Sequence, residues 1–276
     1  MKMENKHYAL LILAMSCNEP FFVESRHVTH DTWAKDVILG SYSNIGFYSY
    51  TASETGEEYI ENNTIYLNCG DKLENTFEKT MCVFDFLNKN NITFDYVLRT
   101  NTSTYINLLL SIDKINTLIA LNYDLAGLPR SNTTNFYESP ILSGQYLFLS
   151  NKLVKLLLER YQKNIYKNYI NYYINGVDDV EIANHVLDIL QNTKLNIKLF
   201  NYFDQTKYKS LVKNTKFKIS NHNNYPFTIH TDPKIVNNVY AVNYRLEQLP
   251  STSDYRFVEL EHAYELHEAN RYVINR

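Results

Sequence analysis

Glycine is scarce in this chain, 7 of 276 residues, and no G-x-G-x-x-G stretch or P-loop occurs. Such loops need glycine where the backbone must approach a phosphate closely, so their lack disfavours a kinase and a Rossmann dehydrogenase. Cysteine is equally sparse. Cys17, Cys69 and Cys82 are an odd number at spacings that fit no zinc or disulfide framework, and they read as core thiols in a reducing compartment. Charge of either sign is not in excess: 27 Lys and Arg stand against 30 Asp and Glu, a net charge of −3. The basic surplus that phosphate backbones demand is absent, so nucleic acid is not expected as a partner. Long apolar runs are missing too. The longest near the start, Tyr8 to Met15, is under half of the roughly 20 residues of a membrane helix, and no small-residue cleavage site follows it. Neither a signal peptide nor a membrane anchor is expected, and the location reads as cytoplasmic. A Gly-x-Ser-x-Gly elbow is lacking, which leaves a serine hydrolase without support. His262 and His267 flank Glu265, but five positions apart they lie off one helical face, unlike the i, i+4 pair of a zinc protease.

What is present is 45% apolar residues, enough for a sizeable core, and an unusual 24 tyrosines. The accompanying richness in Asn and Lys fits an AT-rich coding sequence. It gives little weight to the Asn-x-Ser/Thr triplets at Asn62, Asn91, Asn101 and Asn132. The continuous apolar run from Tyr8 to Ala14 has the pattern of a strand buried on both faces. Tyr96–Leu98, Leu118–Leu121, Tyr146–Leu149 and Ile197–Phe200 are further strand candidates. Between them Leu73, Phe77, Met81 and Phe84 recur at helical spacing, as do Leu153, Leu156 and Leu157. This alternation predicts an α/β fold with a mostly parallel central sheet and helices on both faces. No Pro/Gly/Ser linker and no internal repeat divides the chain, so one domain over 1–276 is expected, with a core of about 8–205. The remainder, about 206–276, reads as an extension packed on that core, with a helix over Phe257 to Tyr272.

Five segments, in order, resemble the β1,3-galactosyltransferase and fringe group of glycosyltransferases, whose nucleotide-sugar-binding fold is termed GT-A. Arg26-His-Val-Thr-His-Asp-Thr-Trp33 is similar to that family's Arg-x-Ala-Ile-Arg-Glu-Thr-Trp helix. Asp71-Lys-Leu-Glu-Asn-Thr-Phe-Glu-Lys-Thr80 resembles its Asp-x-Tyr-x-Asn-Leu-Thr-x-Lys-Thr segment. Tyr96 to Asn107 resembles the strand and turn that carry three consecutive aspartates in the family, here replaced by Asn101, Thr102 and Ser103. Ser143-Gly144, with Tyr146 to Ser150, is similar to Ser-Gly-x-Gly-Tyr-x-x-Ser, and Asp178-Asp179-Val180 to Glu-Asp-Val at a helix start.

The resemblance implies an inverting transferase that moves a sugar of the galactose, N-acetylglucosamine or glucose class from a UDP-sugar to a glycan hydroxyl. Asp179 is then the base that takes the acceptor proton. Its bland alternative is helix initiation, because Asp178-Asp-Val-Glu181 has a capping-box pattern; the cap falls to Asp178 and the base to Asp179. The neutral turn Asn101-Thr102-Ser103 offers weaker oxygens than aspartate to Mg²⁺ or Mn²⁺. No metal ligand is therefore assigned and none is expected to be required, with Mn²⁺ use the alternative. Arg99, just before the turn, is the natural substitute charge for the diphosphate, against a surface ion pair at a strand end. Asn101 and Ser103 remain able to bond ribose or sugar hydroxyls. The resemblance sets Ser16 and Arg26 where uracil and ribose are received, at the carboxyl end of the first strand. Ser143 and Gly144 suit close approach of backbone to a ligand.

Trp33 is expected in the core, Lys79 in solvent, and His222 and His230 on the surface. The tyrosines between Tyr161 and Tyr173 read either as core or as aromatic faces for an acceptor sugar. A domain that binds a nucleotide or glycan without transfer is the competing reading, and a structural scaffold the third.

Overall fold

The computed structural model describes residues 6–106, 108–127, 129, 136–138, 140–170, 175–200 and 241–243. Strand β1 (Lys6–Met15) is the expected first strand, and its middle residues are buried on both faces. Leu10, Ile12 and Ala14 enter one core layer while Leu11 and Leu13 enter the other, as the two-residue period of a strand requires. Helix α1 (Pro20–Asp31) follows, with proline in its first turn where a missing N–H costs nothing. A short helix, α2 (Lys35–Ile38), leads to β2 (Ile45–Ala52) and the hairpin of β3 (Tyr59–Glu61) and β4 (Thr64–Leu67). Helix α3 (Thr76–Lys89) carries Phe77, Met81 and Phe84 of the predicted stripe, all buried, whereas Leu73 falls in the turn before the helix and is exposed. Then come β5 (Ile92–Asn101), β6 (Thr104–Ile106), α4 (Leu108–Ala120), β7 (Leu125–Gly127) and β8 (Leu147–Ser150). Helix α5 (Asn151–Gln162) is capped by Ser150, which accepts from the Leu153 N–H at 3.2 Å. Helix α6 (Asp178–Ile189), β9 (Ile197–Leu199) and β10 (Ala241–Asn243) complete the described elements.

Eight strands form one sheet in the order β3-β4-β2-β1-β5-β8-β7-β9. The run β4-β2-β1-β5 is parallel throughout, and β7 pairs parallel with β9. Strand β8 is antiparallel to both β5 and β7, and β3 to β4. One face carries Leu10, Ile12, Phe47, Leu98 and Phe148 against α1 and α4; the other carries Leu11, Leu13, Tyr48 and Val97 against α3, α5 and α6. The predicted α/β class, with helices on both faces of a mixed sheet whose centre is parallel, is what the chain adopts. Trp33 is buried as expected, edge-on to Phe47 with ring centroids 5.5 Å apart.

One strand candidate is overturned. Leu118 to Ala120 closes α4, and Leu121 follows in a turn. Ile115 and Leu118 are both buried, so the helical period of α4 continues through the apolar run and claims it. Asn122, at φ 53°, then ends the helix in the left-handed region that asparagine tolerates. The 206–276 extension, with its 257–272 helix and His222, His230, His262 and His267, lies outside the described residues save for β10, which pairs antiparallel with β6.

Candidate functional site

The carboxyl ends of β1 and β5 lie side by side, Met15 level with Asn101. Here the chain turns through Asn101-Thr102-Ser103 into β6. The turn is pinned from both sides: the Thr102 N–H donates to Met15 O at 2.9 Å, while Thr102 O accepts from Ser25 Oγ at 3.1 Å and Thr29 Oγ1 at 3.0 Å of α1. Asn101 is half-buried. Ser103 is buried, and its Oγ has no hydrogen-bond partner among the described residues. The side-chain oxygens of this turn are all neutral, and no cluster of three His, Cys, Asp or Glu side chains occurs among the described residues. Such a donor set does not fit a hard divalent cation.

Arg99 sits two residues before the turn and is 1% exposed. Its guanidinium pairs with the Asp178 carboxylate at the start of α6 and donates to Gly144 O, with Met15 Sδ 3.4 Å from Nη2. Burial works against the charge, but Asp178 and Tyr50 outweigh it, so Arg99 is held above its ordinary pKa. Gly144 is required by this contact, because a Cβ there would overlap Arg99 Nη1. The expected surface role gives way to a buried strut that joins β5, the loop before β8, and α6.

Asp178 does not cap α6. The cap position is Val177, in extended backbone, whose own side chain makes no capping hydrogen bond. The carboxylate is drawn to Arg99 instead, while Glu181 supplies the other half of the capping pattern by accepting from the Gly176 N–H at 2.9 Å. Gly176 has φ 80°, and a Cβ on it would overlap Glu74 O, so only glycine fits this turn. The α6 start is also tied to α3, where Thr76 Oγ1 accepts from the Asp178 N–H at 3.1 Å. Asp179, 7% exposed, lies close enough to favour the Arg99 charge and lines a small cavity with Leu125, Pro140, Leu142, Leu147 and Ile182. Ser143, also buried, accepts from the Gln145 N–H at 3.4 Å.

Lys79 departs most from expectation. It is 1% exposed, donating to Ser16 O at 2.9 Å and pairing with Asp71, which in turn accepts from the Asn18 N–H at 2.7 Å. Thus α3 fixes the loop after β1. The solvated reading failed because residues on every side of α3 are buried; the flanking Thr76, Thr80, Met81 and Val83 were the available signal. Ser16 itself donates from Oγ to Phe22 O at 3.0 Å.

Arg26 lies on the α1 face of the sheet, opposite the face that holds Arg99. It is 7% exposed, its guanidinium 5.8 Å from the Tyr66 ring centroid, and its Nη1 has no hydrogen-bond partner among the described residues. Tyr66 stacks on Tyr59 with ring centroids 4.5 Å apart. The structure therefore brings Arg99, Gly144, Asp178 and Asp179 together, and keeps Arg26 apart from them.

Within the tyrosine-rich stretch Tyr161 packs against the core, its ring edge-on to Phe77, while Tyr166 and Tyr169 are exposed. Residues 163–170 cross α6 as a polar strap: Tyr169 OH donates to Asp188 Oδ1 at 2.7 Å, and Asn184 Oδ1 accepts from the N–H groups of Tyr169 and Ile170 at 2.9 Å. Arg160 and Lys167 close on the same Asp188, whose pKa is held down at about 2 by the Tyr169 hydrogen bond first and these cations after it.

No protein-family model matches this sequence, and no characterised protein sequence matches it either. The fold is similar to the crystal structure of a glycosyltransferase involved in the glycosylation of the major capsid of PBCV-1. The two share 11% identity at a TM-score of 0.47, over 93% of this chain and 99% of that one.

Proposed function

We propose that this chain is a GT-A-type inverting glycosyltransferase that acts on a UDP-sugar and a glycan hydroxyl without a divalent metal. One observation carries the reading. The five segments that resemble the β1,3-galactosyltransferase and fringe group, scattered from Arg26 to Val180, converge on the carboxyl ends of β1 and β5 through the contacts of Thr102, Lys79, Arg99 and Asp178. Strand carboxyl ends are where α/β sheets take ligands.

In this reading the acceptor oxygen attacks the anomeric carbon from the face opposite the nucleotide. The bond from that carbon to the nucleoside diphosphate breaks, and Asp179 takes the acceptor proton. Arg99 and Asp178 act as positioning residues that hold the start of α6, and hence Asp179, against β5. Donor contacts fall to Arg26, Ser16, Asn101 and Ser103, with Ser143 and Gly144 beside the acceptor. Because the turn oxygens are neutral, no step is routed through a metal.

The test is turnover of a panel of nucleotide sugars, in EDTA and again with Mn²⁺, by wild type and Asp179→Asn. The expected result is product of inverted anomeric configuration in EDTA, with kcat lowered about 10²–10⁴-fold in the variant at unchanged melting temperature. Activity that vanishes in EDTA and returns with Mn²⁺ overturns the metal-free reading. A second reading, binding without transfer, is favoured by the neutral Asn101-Thr102-Ser103 turn, which stands where the family it resembles carries aspartates. It predicts that UDP raises the melting temperature while no donor is turned over.

A further inference from the structure

Arg26 is 7% exposed, and no ion pair joins it to a carboxylate among the described residues. The other buried lysine and arginine side chains described, Lys79 and Arg99, are paired with Asp71 and Asp178. The Arg26 guanidinium faces only the Tyr66 ring, 5.8 Å from its centroid, and Tyr66 in turn stacks on Tyr59. The sheet beneath this part of α1 supplies neutral side chains, with Ser49 level with Thr64 and Thr51 level with Tyr66. Their hydroxyls are already engaged. Ser49 Oγ lies 2.9 Å from Thr64 Oγ1 and 3.0 Å from His30 Nε2, and Thr51 Oγ1 donates to Asn18 Oδ1 at 3.2 Å. A buried guanidinium so placed bears its desolvation penalty without the Coulombic return of a partner, and an anion would supply that return.

The guanidinium stands at the carboxyl end of the sheet. Met15, which closes β1, is level with Tyr50 of β2, and the next residue of β2, Thr51, is level with Tyr66. Arg26, over Tyr66, is therefore at the height where β1 ends. Its neighbour in sequence, Ser25, donates to Thr102 O, so the same turn of α1 also holds the neutral Asn101-Thr102-Ser103 turn.

We propose that Arg26 seats a diphosphate, which the sugar-transfer reading, on which this identification rests, makes that of the nucleotide sugar. A guanidinium donates two parallel hydrogen bonds to phosphoryl oxygens, and here α1 brings its positive charge to a site whose turn side chains are neutral. Uracil and ribose, which the resemblance sets at Arg26, carry no charge. Bonding them would leave the guanidinium uncompensated, whereas a diphosphate both bonds and neutralises it.

The test measures binding of UDP, inorganic pyrophosphate and uridine in EDTA by wild type, Arg26→Met and Arg26→Lys. Arg26→Met should weaken UDP and pyrophosphate about 30-fold or more and uridine less than about threefold. Arg26→Lys, which keeps the charge without the paired bonds, should lie between. The ligand-free Arg26→Met protein should melt no lower than wild type, because the charge removed had no partner. Equal UDP affinity in wild type and Arg26→Met, or a loss for uridine as large as that for UDP, would overturn the proposal and leave the transfer reading standing. Arg26-dependent binding of pyrophosphate by a protein that neither binds UDP nor turns over any donor would support the seat and overturn the transfer reading. A wild type that binds neither pyrophosphate nor UDP would overturn the proposal.

Discussion

Removing the carboxylate of Asp178 leaves the Arg99 guanidinium buried beside Gly144 O, Met15 Sδ and the Tyr50 hydroxyl, with Asp179 the remaining nearby carboxylate. The side chains of this pair are 1% and 6% exposed. Breaking so buried a pair by deleting one partner costs about 3–5 kcal/mol, because the surviving charge keeps its desolvation penalty. Loss of a first-turn carboxylate from a helix dipole costs only about 0.3–1 kcal/mol, too little to imitate the effect. Asp178→Ala should therefore lower stability by about 4 kcal/mol. Arg99→Met with Asp178→Ala, which removes both charges, should be milder than the sum of the same two single changes by about 2 kcal/mol or more. Urea unfolding followed by fluorescence measures this directly, since Trp33 is the single tryptophan and is buried. Additivity within about 0.5 kcal/mol would refute the buried strut.

The remaining predictions use the same unfolding assay. Gly144→Ala should cost about 1–3 kcal/mol by driving Arg99 off Asp178, and its effect should largely disappear in an Arg99→Met background. Gly176→Ala should cost more than about 1 kcal/mol, being strained by its positive φ and crowded by Glu74 O. His30 and His185 are both held near pKa 4, by burial first and then by Arg26 and Arg160 respectively. Their folded values lie below the ordinary 6.5, so the unfolded chain binds more protons between the two. The stability they contribute is complete above about pH 6.5 and is lost as pH falls toward 4, so the urea midpoint should drop between pH 7.5 and 5. His30→Gln with His185→Gln should flatten that slope, and an unchanged slope would refute it.

Much of the architecture was legible because its signals are local. The apolar run of β1 and the stripe of α3 each sit within one short window of sequence, where periodicity alone decides. The error at Leu118 came from reading four residues without the preceding Ile115, whose spacing continues the helix. What was illegible is the buried polar chemistry. Lys79 and Arg99 look like surface cations in any window, and only partners far along the chain, Asp71 with Ser16 for one and Gly144 with Asp178 for the other, make their burial tolerable. The Asp178 cap failed for the same reason, since its carboxylate answers to Arg99 before its own helix. That Arg26 and Arg99 fall on opposite faces follows from topology, which a linear pattern does not carry.

Strand β1 lies between β2 and β5, hydrogen-bonded along both edges, with the adjoining β5 flanked in turn by β8. Amides so enclosed exchange with solvent only when the whole domain opens, whereas those of the β3 and β9 margins exchange through small local excursions. The floor beneath Ser16 and Thr102 is thus the last part of the molecule to give way. Deuterium uptake should spread inward from the sheet margins and reach this floor only with global unfolding.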